Sequence, residues 1–489
     1  MLSPKKHLHV IGIGGIGVSA LARYYRSIGY SVSGSDGADS PFLDTLRAEG
    51  FDIHIGHRAE NLGENTDFVI YSEAIITKPD LPPEEQIYAN VELARARDLG
   101  IEHLSYPVAL GRVFDAAEGI AITGSHGKST TTAMTTLMLA NEYSDNPTVE
   151  IPVDGAFAYM PTAPGCSAII GTQVPQLGHT NFYTEMGASH FVIEACEYKR
   201  SFLQYHPYIT VITNIDLDHL DYYQNLDDYI SAFQSLVDQT SGFVIISRDD
   251  ENSAKLDIPV EKRIIVGGGQ ILYYPRVEED DHGRKKVYYV EKSMPLPEIH
   301  LQVPGAHLLH DAYLAYTVGR LLGMQDDIIV PKLESYTGSW RRSEIVGTTT
   351  HGNLVISDYG HHPNEIRPTL RAIREKYRDK RLYVVFQPHQ YSRTRELLGE
   401  FGRAFGDVDE LVIPDIYFSR DKQEDVEYMT VERLIDTIAC VEQGLTIHDG
   451  GGLEKTAELI RTYDASHPES SVIVLLGAGD VDSLRYSIL

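Results

Sequence analysis

The sequence predicts an α/β protein built from parallel, doubly wound sheets. Short apolar or β-branched runs alternate along most of the chain with segments whose apolar residues recur at helical spacing. Three separate strand–glycine–helix starts predict three such units rather than one sheet. The stretches Leu99–Pro107 and Ser335–Arg342 are the expected boundaries between the units.

The predicted strands are short runs rich in β-branched residues. They are His7–Ile13, Tyr30–Ser33, Phe68–Tyr71, Ile120–Thr123, Phe191–Glu194, Ile209–Thr213, Phe243–Ser247, Leu354–Ser357, Leu382–Phe386, Glu410–Ile413 and Val472–Leu476. The predicted helices include Ala20–Ile28, Thr130–Leu139 and Glu365–Tyr377. The Pro-, Gly- and Thr-rich region Asn141–Gly187 predicts a loop with short strands, and Arg276–Met294 predicts a hairpin that turns at Asp281-His282-Gly283.

Length and charge exclude some classes of protein. A chain of 489 residues is too long for one hydrophobic core, and its formal net charge of −28 repels phosphate backbones, so nucleic acid is not an expected partner. The chain has only three cysteines and no CxxC pair, which predicts a cytoplasmic protein. It has no apolar run of about 18 residues, so we expect no segment that crosses a membrane. An anionic small substrate is compatible with this charge if local cations, backbone amides or a metal meet it.

A first glycine cluster, Gly12-Ile13-Gly14-Gly15-Ile16-Gly17, directly follows a predicted strand and opens a helix. Glycines allow the backbone to approach a ligand, and the free amides of a helix N-terminus favour an anion such as a diphosphate. Asp36 follows about 20 residues later, where it can accept a hydrogen bond from a ribose hydroxyl. The literal interpretation is NAD binding; a unit that holds another nucleotide, or a plain tight turn, fits the same pattern.

A second cluster, Gly124-Ser125-His126-Gly127-Lys128-Ser129, again joins a strand to a helix. In a P-loop the loop amides surround phosphate oxygens, the lysine reaches the β- and γ-phosphates and the serine binds Mg²⁺. The motif departs from the full Walker pattern, whose first glycine would fall at Ile122. Its place between a strand and a threonine-rich helix favours a nucleoside-triphosphate site over a chance turn.

Acidic residues end two further predicted strands. Glu194 closes one strand and Glu197 comes one helical turn later, while Asp216, Asp218 and His219 follow the next strand. The carboxyl ends of parallel strands lie at the same edge of a sheet as the P-loop. Glu194 and His219 are therefore the metal candidates, in preference to solvated helix caps.

The third unit carries arginines and histidines at predicted strand ends, among them Arg341, Arg342, His389 and Arg393. Isolated surface ion pairs contribute little to stability. The clustering of these arginines and histidines at strand ends of an otherwise acidic protein instead favours the binding of phosphate and carboxylate groups, for which the guanidinium group is suited.

With these residues in hand, the chain resembles the Mur ligase family almost from end to end. The matching motifs, in order, are HVIGIGGIGVSAL, TGSHGKSTTTAM, EACEYKRSFL, TNIDLDHLDYY, RRSEIVG, DYGHHPNEI and FQPHQYSRTR. His126 in the P-loop is typical of two branches of the family, one that attaches L-alanine to UDP-N-acetylmuramate and one that recycles the murein tripeptide, whereas other Mur ligases usually have asparagine there. The FQPHQYSRT stretch resembles the alanine-adding branch and not the recycling one.

This resemblance implies a Rossmann-like UDP-sugar-binding domain at 1–105, a P-loop ATP-binding domain at 106–338 and a Rossmann-like amino-acid-binding domain at 339–489. It also implies an ATP-dependent ligase that joins L-alanine to the lactyl carboxylate of UDP-N-acetylmuramate through an acyl phosphate. The implied cofactor is Mg²⁺, as two ions for which Mn²⁺ can substitute.

The resemblance assigns roles to individual residues. ATP is bound by Gly124, Ser125, His126, Gly127, Lys128, Ser129, Thr130, His307, Asp311, Arg342 and Asp358; the UDP-sugar by Gly14, Gly15, Ile16, Gly17, Asp36 and Ser72; and the amino acid by Tyr359, His361, His389 and Arg393. Lys128, Glu194 and His219 are expected to be catalytic, and Ser129, Glu194 and His219 to bind metal.

Two departures from the family keep alternatives open. In the adenine motif G-x-H-N-x-x-N, Leu308 replaces the first asparagine and cannot make an amide's paired hydrogen bonds, while Asp311 replaces the second. Gln390 stands where the family has an arginine, so glycine, serine or a recycled tripeptide are alternative acceptors. Two other hypotheses remain. An NAD-dependent oxidoreductase would account for the first glycine cluster but not for Lys128, and a non-catalytic nucleotide-binding regulator is favoured only by the changed adenine motif.

Overall fold

The computed structural model of the chain describes residues 6–76, 82–141, 149–153, 156–160, 164–220, 222–272, 274–279, 285–290, 293–303, 305–419 and 421–489. The chain divides into two compact units. The first comprises Met1–Gln173, Leu177–Glu298 and Asp311–Leu333, and the second comprises Val174–Gln176, Ile299–His310 and Glu334–Leu489. The predicted α/β class with parallel sheets is confirmed.

The N-terminal sheet contains five parallel strands in the order β3-β2-β1-β4-β5. The strands are β1 (His7–Ile11), β2 (Ser31–Asp36), β3 (Asp52–Ile55), β4 (Phe68–Tyr71) and β5 (Glu102–Ser105), and the helices are α1 (Ile16–Ser27), α2 (Pro41–Ala48), α3 (Pro83–Gln86), α4 (Val91–Asp98) and α5 (Tyr106–Phe114). The strand order reverses at β1, so the glycine cluster that follows β1 lies at the edge where such sheets bind ligands.

The central sheet of the first unit contains nine strands in the order β10-β9-β11-β6-β12-β13-β14-β15-β18. The strands of this region are β6 (Glu118–Thr123), β7 (Val149–Val153), β8 (Ala156–Met160), β9 (Cys166–Val174), β10 (Thr180–Tyr183), β11 (His190–Glu194), β12 (Ile209–Ile212), β13 (Phe243–Ser247), β14 (Arg263–Gly267), β15 (Gln270–Leu272), β16 (Tyr274–Glu279), β17 (Lys285–Val290) and β18 (Met294–Pro295). The helices are α6 (Lys128–Leu139), α7 (Leu226–Gln239), α8 (Ala306–Leu321) and α9 (Asp326–Glu334). Strands β11, β6 and β12 are parallel neighbours, and their apolar residues are buried because helices cover both faces of such sheets.

The expectation for Asn141–Gly187 was wrong over part of its length. Strand β9 is nine residues long and pairs in parallel with β11, so this segment extends the sheet rather than forming a loop. Its buried run CSAII predicts a strand, but the surrounding Pro, Gly and Thr residues favour a loop. The predicted hairpin is confirmed, since β16 pairs with β17 in antiparallel register; its turn at 281–283 lies outside the described residues.

The sheet of the second unit contains six strands in the order β19-β20-β24-β21-β22-β23, of which β19 alone is antiparallel to its neighbour. The strands are β19 (Glu344–Thr348), β20 (Leu354–Asp358), β21 (Arg381–Phe386), β22 (Glu410–Ile413), β23 (Thr446–Asp449) and β24 (Ser471–Leu476). The helices are α10 (Pro363–Lys376), α11 (Tyr391–Glu396), α12 (Leu398–Phe401), α13 (Gln423–Tyr428), α14 (Val431–Val441), α15 (Leu453–Ser466) and α16 (Arg485–Ile488).

Short 3₁₀ turns complete the described secondary structure, at Ala59–Asn61, Glu73–Ile75, Ile87–Ala89, Pro175–Leu177, Tyr198–Gln204, Ser253–Lys255 and Val481–Leu484. Among the helices of the described ranges, none combines the length and apolar character that a bilayer crossing requires. All three cysteines are described and are free thiols.

Candidate active site

The P-loop lies between the end of β6 and the start of α6. Gly124 and Gly127 both adopt positive φ angles, of 132° and 79°. A Cβ on Gly124 would come within 2.1 Å of the Thr213 hydroxyl, and one on Gly127 within 2.6 Å of Asp311 Oδ1. Both positions therefore require glycine for backbone conformation and for space.

The loop closes around the ammonium group of Lys128. Its Nζ donates to the carbonyl oxygens of Gly124, at 2.5 Å, and of Ser125, at 3.1 Å. The predicted ATP ligands Ser129 and Thr130 occupy the first turn of α6 and are buried. The predicted residues of this motif therefore lie together at one helix N-terminus, where free amides favour phosphate.

The segment after β12 holds the loop from the other side. Ser125 Oγ donates to the carbonyl of Asp216 at 2.6 Å, and the amide of His126 donates to Asn214 Oδ1 at 3.1 Å. The imidazole Nε2 of His126 lies 3.5 Å from Asp216 Oδ2. Ser125 thus fixes the shape of the loop through its side chain, which is a structural role that the sequence motif did not reveal.

A buried carboxylate, Glu197, connects the lysine to the predicted histidine. Lys128 Nζ lies 3.0 Å from Glu197 Oε1, and His219 Nε2 lies 3.2 Å from the same oxygen. Burial alone would raise the pKa of the Glu197 carboxyl, but Lys128 and His219 hold that pKa below its usual range. The pKa of Lys128 is raised, because the nearby carboxylates outweigh its burial, so its ammonium group stays charged.

Glu194 lies at the end of β11 and is not the partner of His219. Its Oε2 is buried and has no hydrogen-bond partner among the described residues. A Cβ on Gly171 of β9 would lie 1.9 Å from this oxygen, so the glycine leaves the space that the carboxylate occupies. The sequence predicts Glu194 and His219 as metal ligands, and in the structure His219 contacts Glu197 directly. The sequence signal for Glu197 is its spacing of about one helical turn after Glu194.

These donors suit a divalent cation. A buried carboxylate oxygen without a partner, a serine hydroxyl at the P-loop and an imidazole are ligands that Mg²⁺ and Mn²⁺ accept. The residues present at Ser129, Glu194 and His219 therefore fit the predicted metal, and Glu197 adds a further carboxylate beside His219.

Three of the six predicted UDP-sugar residues line a cavity of about 560 Å³ at the carboxyl end of the N-terminal sheet. Gly15, Asp36 and Ser72 line this cavity. Asp36 Oδ2 accepts a hydrogen bond from the amide of Gly14 at 2.8 Å, so it closes the glycine loop. Gly17 packs against another helix instead, since a Cβ there would meet the Tyr106 hydroxyl at 2.6 Å. Ile16 begins α1.

The predicted adenine-motif residues lie in both units. In the first unit, Asp311 is buried with its carboxylate beside Gly127 of the P-loop. In the second unit, burial lowers the pKa of His307. Leu308 of the second unit is buried.

In the second unit, Tyr359 lies between two guanidinium groups, at 5.0 Å from that of Arg341 and 4.9 Å from that of Arg342. Arg341 donates to the carbonyls of Gly477 and Gly479 and so anchors the loop after β24. Asp358 accepts hydrogen bonds from the amides of Ser343 and Gly360, and burial raises its pKa against the opposing effect of Arg342.

The remaining predicted amino-acid residues form one continuous cluster in this unit. The ring centroids of His361 and His389 are 6.1 Å apart, and Arg393 lies 3.4 Å from His389 Nδ1. The ring of His389 stacks on that of Tyr417, with the ring centroids 5.3 Å apart, and the sequence motifs did not indicate this neighbour. Gln390 donates its side-chain amide to the carbonyl of Ser419 at 3.0 Å, so it stabilises the adjoining loop.

Three protein-family models match consecutive segments of the chain. The "Mur ligase family, catalytic domain" matches residues 7–118, the "Mur ligase middle domain" matches 122–319, and the "Mur ligase, glutamate ligase domain" matches 341–479. A UDP-N-acetylmuramate–L-alanine ligase of Alkaliphilus metalliredigens is 35% identical over 494 residues, covering 99% of this chain and 97% of the relative. One of Clostridium acetobutylicum is 34% identical, covering 97% and 96%.

Solved structures show the same similarity. The UDP-N-acetylmuramate-alanine ligase of Thermotoga maritima superimposes with a TM-score of 0.73 at 25% identity, covering 98% of this chain and 97% of the other. A murein peptide ligase of Psychrobacter arcticus gives a TM-score of 0.61 at 19% identity and covers 98% and 97%, which shows a shared fold.

Proposed function

The chain belongs to the Mur ligase family, and we propose that it is the ATP-dependent ligase that joins L-alanine to the lactyl carboxylate of UDP-N-acetylmuramate. This reaction is the first amino-acid addition in the synthesis of peptidoglycan precursors, and its proposed location is the cytoplasm. The observation that carries the proposal is the cluster of Lys128, Glu197 and His219 at the P-loop of a chain similar over nearly its whole length to alanine-adding ligases.

The first chemical step brings two anions together. The lactyl carboxylate attacks the γ-phosphorus of ATP, the bond to the β-phosphate oxygen breaks, and an acyl phosphate and ADP result. The loop amides and the ammonium of Lys128 offset the charge that accumulates on the transferred phosphoryl group. Glu197 keeps Lys128 charged and in place.

The proposed metal ligands are Ser129, Glu194 and His219. Bound Mg²⁺, as two ions or with Mn²⁺ in its place, would supply positive charge beside the phosphates and the substrate carboxylate. The unpartnered, buried Oε2 of Glu194 supports this assignment.

The nucleotide sites follow the two glycine loops. Gly14, Gly15, Ile16, Gly17, Asp36 and Ser72 are proposed to bind the UDP-sugar. Gly124, Ser125, His126, Gly127, Lys128, Ser129, Thr130, His307, Asp311, Arg342 and Asp358 are proposed to bind ATP. The match of the first domain to the Mur ligase family favours UDP over a nicotinamide dinucleotide at the first loop.

The second step forms the peptide bond. The neutral amine of L-alanine attacks the acyl carbonyl carbon, phosphate leaves, and the amine loses its proton. Tyr359, His361, His389 and Arg393 are proposed to bind the alanine carboxylate, because the guanidinium group of Arg393 suits a carboxylate and lies 3.4 Å from His389 Nδ1, and the ring of His389 neighbours that of His361. Since Gln390 is engaged with the Ser419 carbonyl, its replacement of arginine is compatible with alanine as acceptor.

Phosphate release with ATP and UDP-N-acetylmuramate tests the proposal. L-Alanine should stimulate release more than glycine, L-serine or a tripeptide, and mass spectrometry should detect UDP-N-acetylmuramoyl-L-alanine. Lys128→Ala should abolish nearly all turnover. Stimulation by the tripeptide but not by L-alanine would assign the chain to the recycling branch of the family, and turnover unaffected by Lys128→Ala would contradict the proposed role of Lys128.

A further inference from the structure

Two buried tyrosines contact the P-loop cluster but have no role in the proposed chemistry. Tyr223 ends the TNIDLDHLDYY motif, and Tyr229 follows near the start of α7. Their side chains are 1% and 0% exposed, and their ring centroids lie 4.7 Å apart with the ring planes at 80°. Aromatic rings packed edge to face in this way restrict each other's orientation.

Tyr223 anchors the main chain of Glu197. Its hydroxyl donates to the backbone carbonyl of Glu197, and the same carbonyl accepts from the amide of Arg200 at 2.9 Å. Both acceptor positions of this carbonyl are therefore used. The carboxylate of Glu197 reaches Lys128 and His219 from this fixed point of the main chain.

The turns that carry Glu197 and His219 both contain left-handed residues other than glycine. Lys199 and Arg200 have φ angles of 52° and 57°, and that of His219 is 55°. Such conformations are unfavourable for residues with a Cβ and persist where neighbouring contacts fix them. Tyr223 contacts both turns, since its ring centroid lies 5.8 Å from the guanidinium carbon of Arg200 and its amide donates to the carbonyl of His219 at 3.0 Å.

Tyr229 makes the corresponding contact with the P-loop. Its hydroxyl oxygen lies 3.0 Å from Ser125 Oγ. Ser125 has one hydroxyl proton, which it donates to the carbonyl of Asp216 at 2.6 Å, while its oxygen accepts from the amide of Asp216 at 2.8 Å. The proton between the two hydroxyls is therefore that of Tyr229, which donates to Ser125.

Both tyrosines keep their protons. Burial raises the pKa of Tyr223 and of Tyr229 well above the ordinary value of 10, and the nearby charge of Glu197 raises each pKa further. Each hydroxyl is therefore a permanent hydrogen-bond donor and does not exchange protons with a substrate near neutral pH. Their contribution to the reaction must come through the groups that they hold.

We infer that Tyr223 and Tyr229 act as one positioning unit, which fixes the main chain of Glu197 relative to the P-loop. The inference rests on the proposed ligase function, because it assigns to this pair the alignment of Lys128 and His219 that phosphoryl transfer requires. A shift of the Glu197 main chain displaces the carboxylate that contacts both side chains. A misplacement of about 1 Å in such a site costs about 100-fold in rate.

Steady-state phosphate release by single and double variants tests the inference. Tyr223→Phe and Tyr229→Phe each keep the packed ring and remove one hydroxyl. In Tyr223→Phe we expect kcat to fall about 10- to 100-fold, with the KM for ATP and for UDP-N-acetylmuramate within threefold of wild type, because the contact lies on Glu197 and the binding loops remain. Tyr229→Phe should lower kcat about tenfold and raise the KM for ATP several-fold.

The double variant asks whether the two tyrosines act together. If they form one unit, the fall in kcat of Tyr223→Phe/Tyr229→Phe should be smaller than the product of the two single effects. Hydrogen exchange followed by mass spectrometry gives a second measurement that needs no turnover. In Tyr223→Phe, exchange should become faster at residues 197–202 and also at the P-loop, although the lost hydroxyl contacts only the first of these segments.

Tyr463→Phe is the matched control. Tyr463 is 5% exposed, and its hydroxyl lies 2.9 Å from that of the buried Ser471 in the second unit. Its loss should reduce the stability measured by urea unfolding about as much as Tyr223→Phe does, while kcat and both KM values stay unchanged. A loss of kcat in Tyr223→Phe alone therefore reports positioning rather than a general loss of stability.

A kcat within twofold of wild type in folded Tyr223→Phe would overturn the inference. Single effects that multiply in the double variant, or faster exchange confined to residues 197–202, would also overturn it, since the tyrosines would then act separately. If the wild-type chain forms no product from UDP-N-acetylmuramate and L-alanine, the proposed function fails. The exchange pattern of Tyr223→Phe then still decides whether the two tyrosines form one unit.

Discussion

The ammonium nitrogen of Lys128 lies 3.0 Å from each of the two carboxylate oxygens of Glu197. The lysine starts α6 and the glutamate follows β11, so the pair joins two neighbouring strand ends of the central sheet. Both side chains are largely shielded from solvent, at 14% and 1% exposure, which makes the pair sensitive to loss of either partner.

Glu197→Gln should lower kcat of the ligase reaction by about 100-fold or more. The change removes the charge that fixes both Lys128 and His219, and loss of one preorganised group at a developing charge typically costs 10²–10³ in kcat. Phosphate release at saturating substrates measures the effect. Glu118→Gln is the matched control, because Glu118 is exposed at the opposite end of β6; a loss below threefold in Glu197→Gln would contradict the expectation.

Stability should depend on the ionisation of Glu197. Although burial opposes it, Lys128 and His219 lower the pKa of this carboxyl in the folded state below its ordinary value of 4.5. A lowered folded-state pKa contributes stability above the unfolded-state value, and that contribution is lost as the pH falls through the folded-state pKa. As the pH falls below about 4.5, wild type should therefore lose more stability than Glu197→Gln.

Urea unfolding followed by circular dichroism at several pH values measures this difference. Glu375→Gln serves as the control, since Glu375 forms an exposed pair with Arg371 on α10 and should follow wild type at every pH. Parallel pH profiles for wild type and Glu197→Gln would show that the Lys128–Glu197 pair does not contribute as described.

The sequence predicts the strands well where a strand is buried on both faces and therefore has a continuous apolar run, as in Ile209–Thr213 and Val472–Leu476. It predicts both glycine loops because their positions between strand and helix require glycine. It could not indicate that Glu197 contacts both Lys128 and His219, because these contacts join residues far apart in the chain.

Gly171→Ala should impair the enzyme without removing any functional group. The added Cβ would meet Glu194 Oε2 at 1.9 Å, so the carboxylate must move from the proposed metal site. We expect kcat to fall at least about tenfold and the Mg²⁺ concentration needed for half-maximal activity to rise, with a stability loss of about 1–3 kcal/mol from overpacking. Magnesium titration of phosphate release measures the first two effects.

Gly399→Ala provides the control for Gly171→Ala, because a Cβ there has no atom within 4 Å. It should leave both kcat and the magnesium requirement unchanged. A Gly171→Ala enzyme with the magnesium requirement of wild type would argue against Glu194 as a metal ligand, even if its stability is reduced.

Asn181 joins the central sheet to the helix at the first glycine loop. From β10 its side-chain amide donates to the carbonyl of Ile16 at 2.5 Å and to Ser19 Oγ at 3.1 Å, and its carbonyl oxygen accepts from Arg23. Asn181→Ala leaves these buried groups without their partner, at a cost of about 1–3 kcal/mol. Because α1 then loses a fixed position, the KM for UDP-N-acetylmuramate should rise several-fold while the KM for ATP changes little.

Steady-state kinetics with each substrate varied in turn measures this asymmetry in Asn181→Ala. Gln234→Ala removes an amide that pairs with Asp238 on the surface of α7 and should alter neither KM. Equal rises in both KM values would mean that the substitution loosens the first unit as a whole. The asymmetry follows because the amides at the start of α1 act on the UDP-sugar, whereas the P-loop is held separately by Asn214 and Asp216.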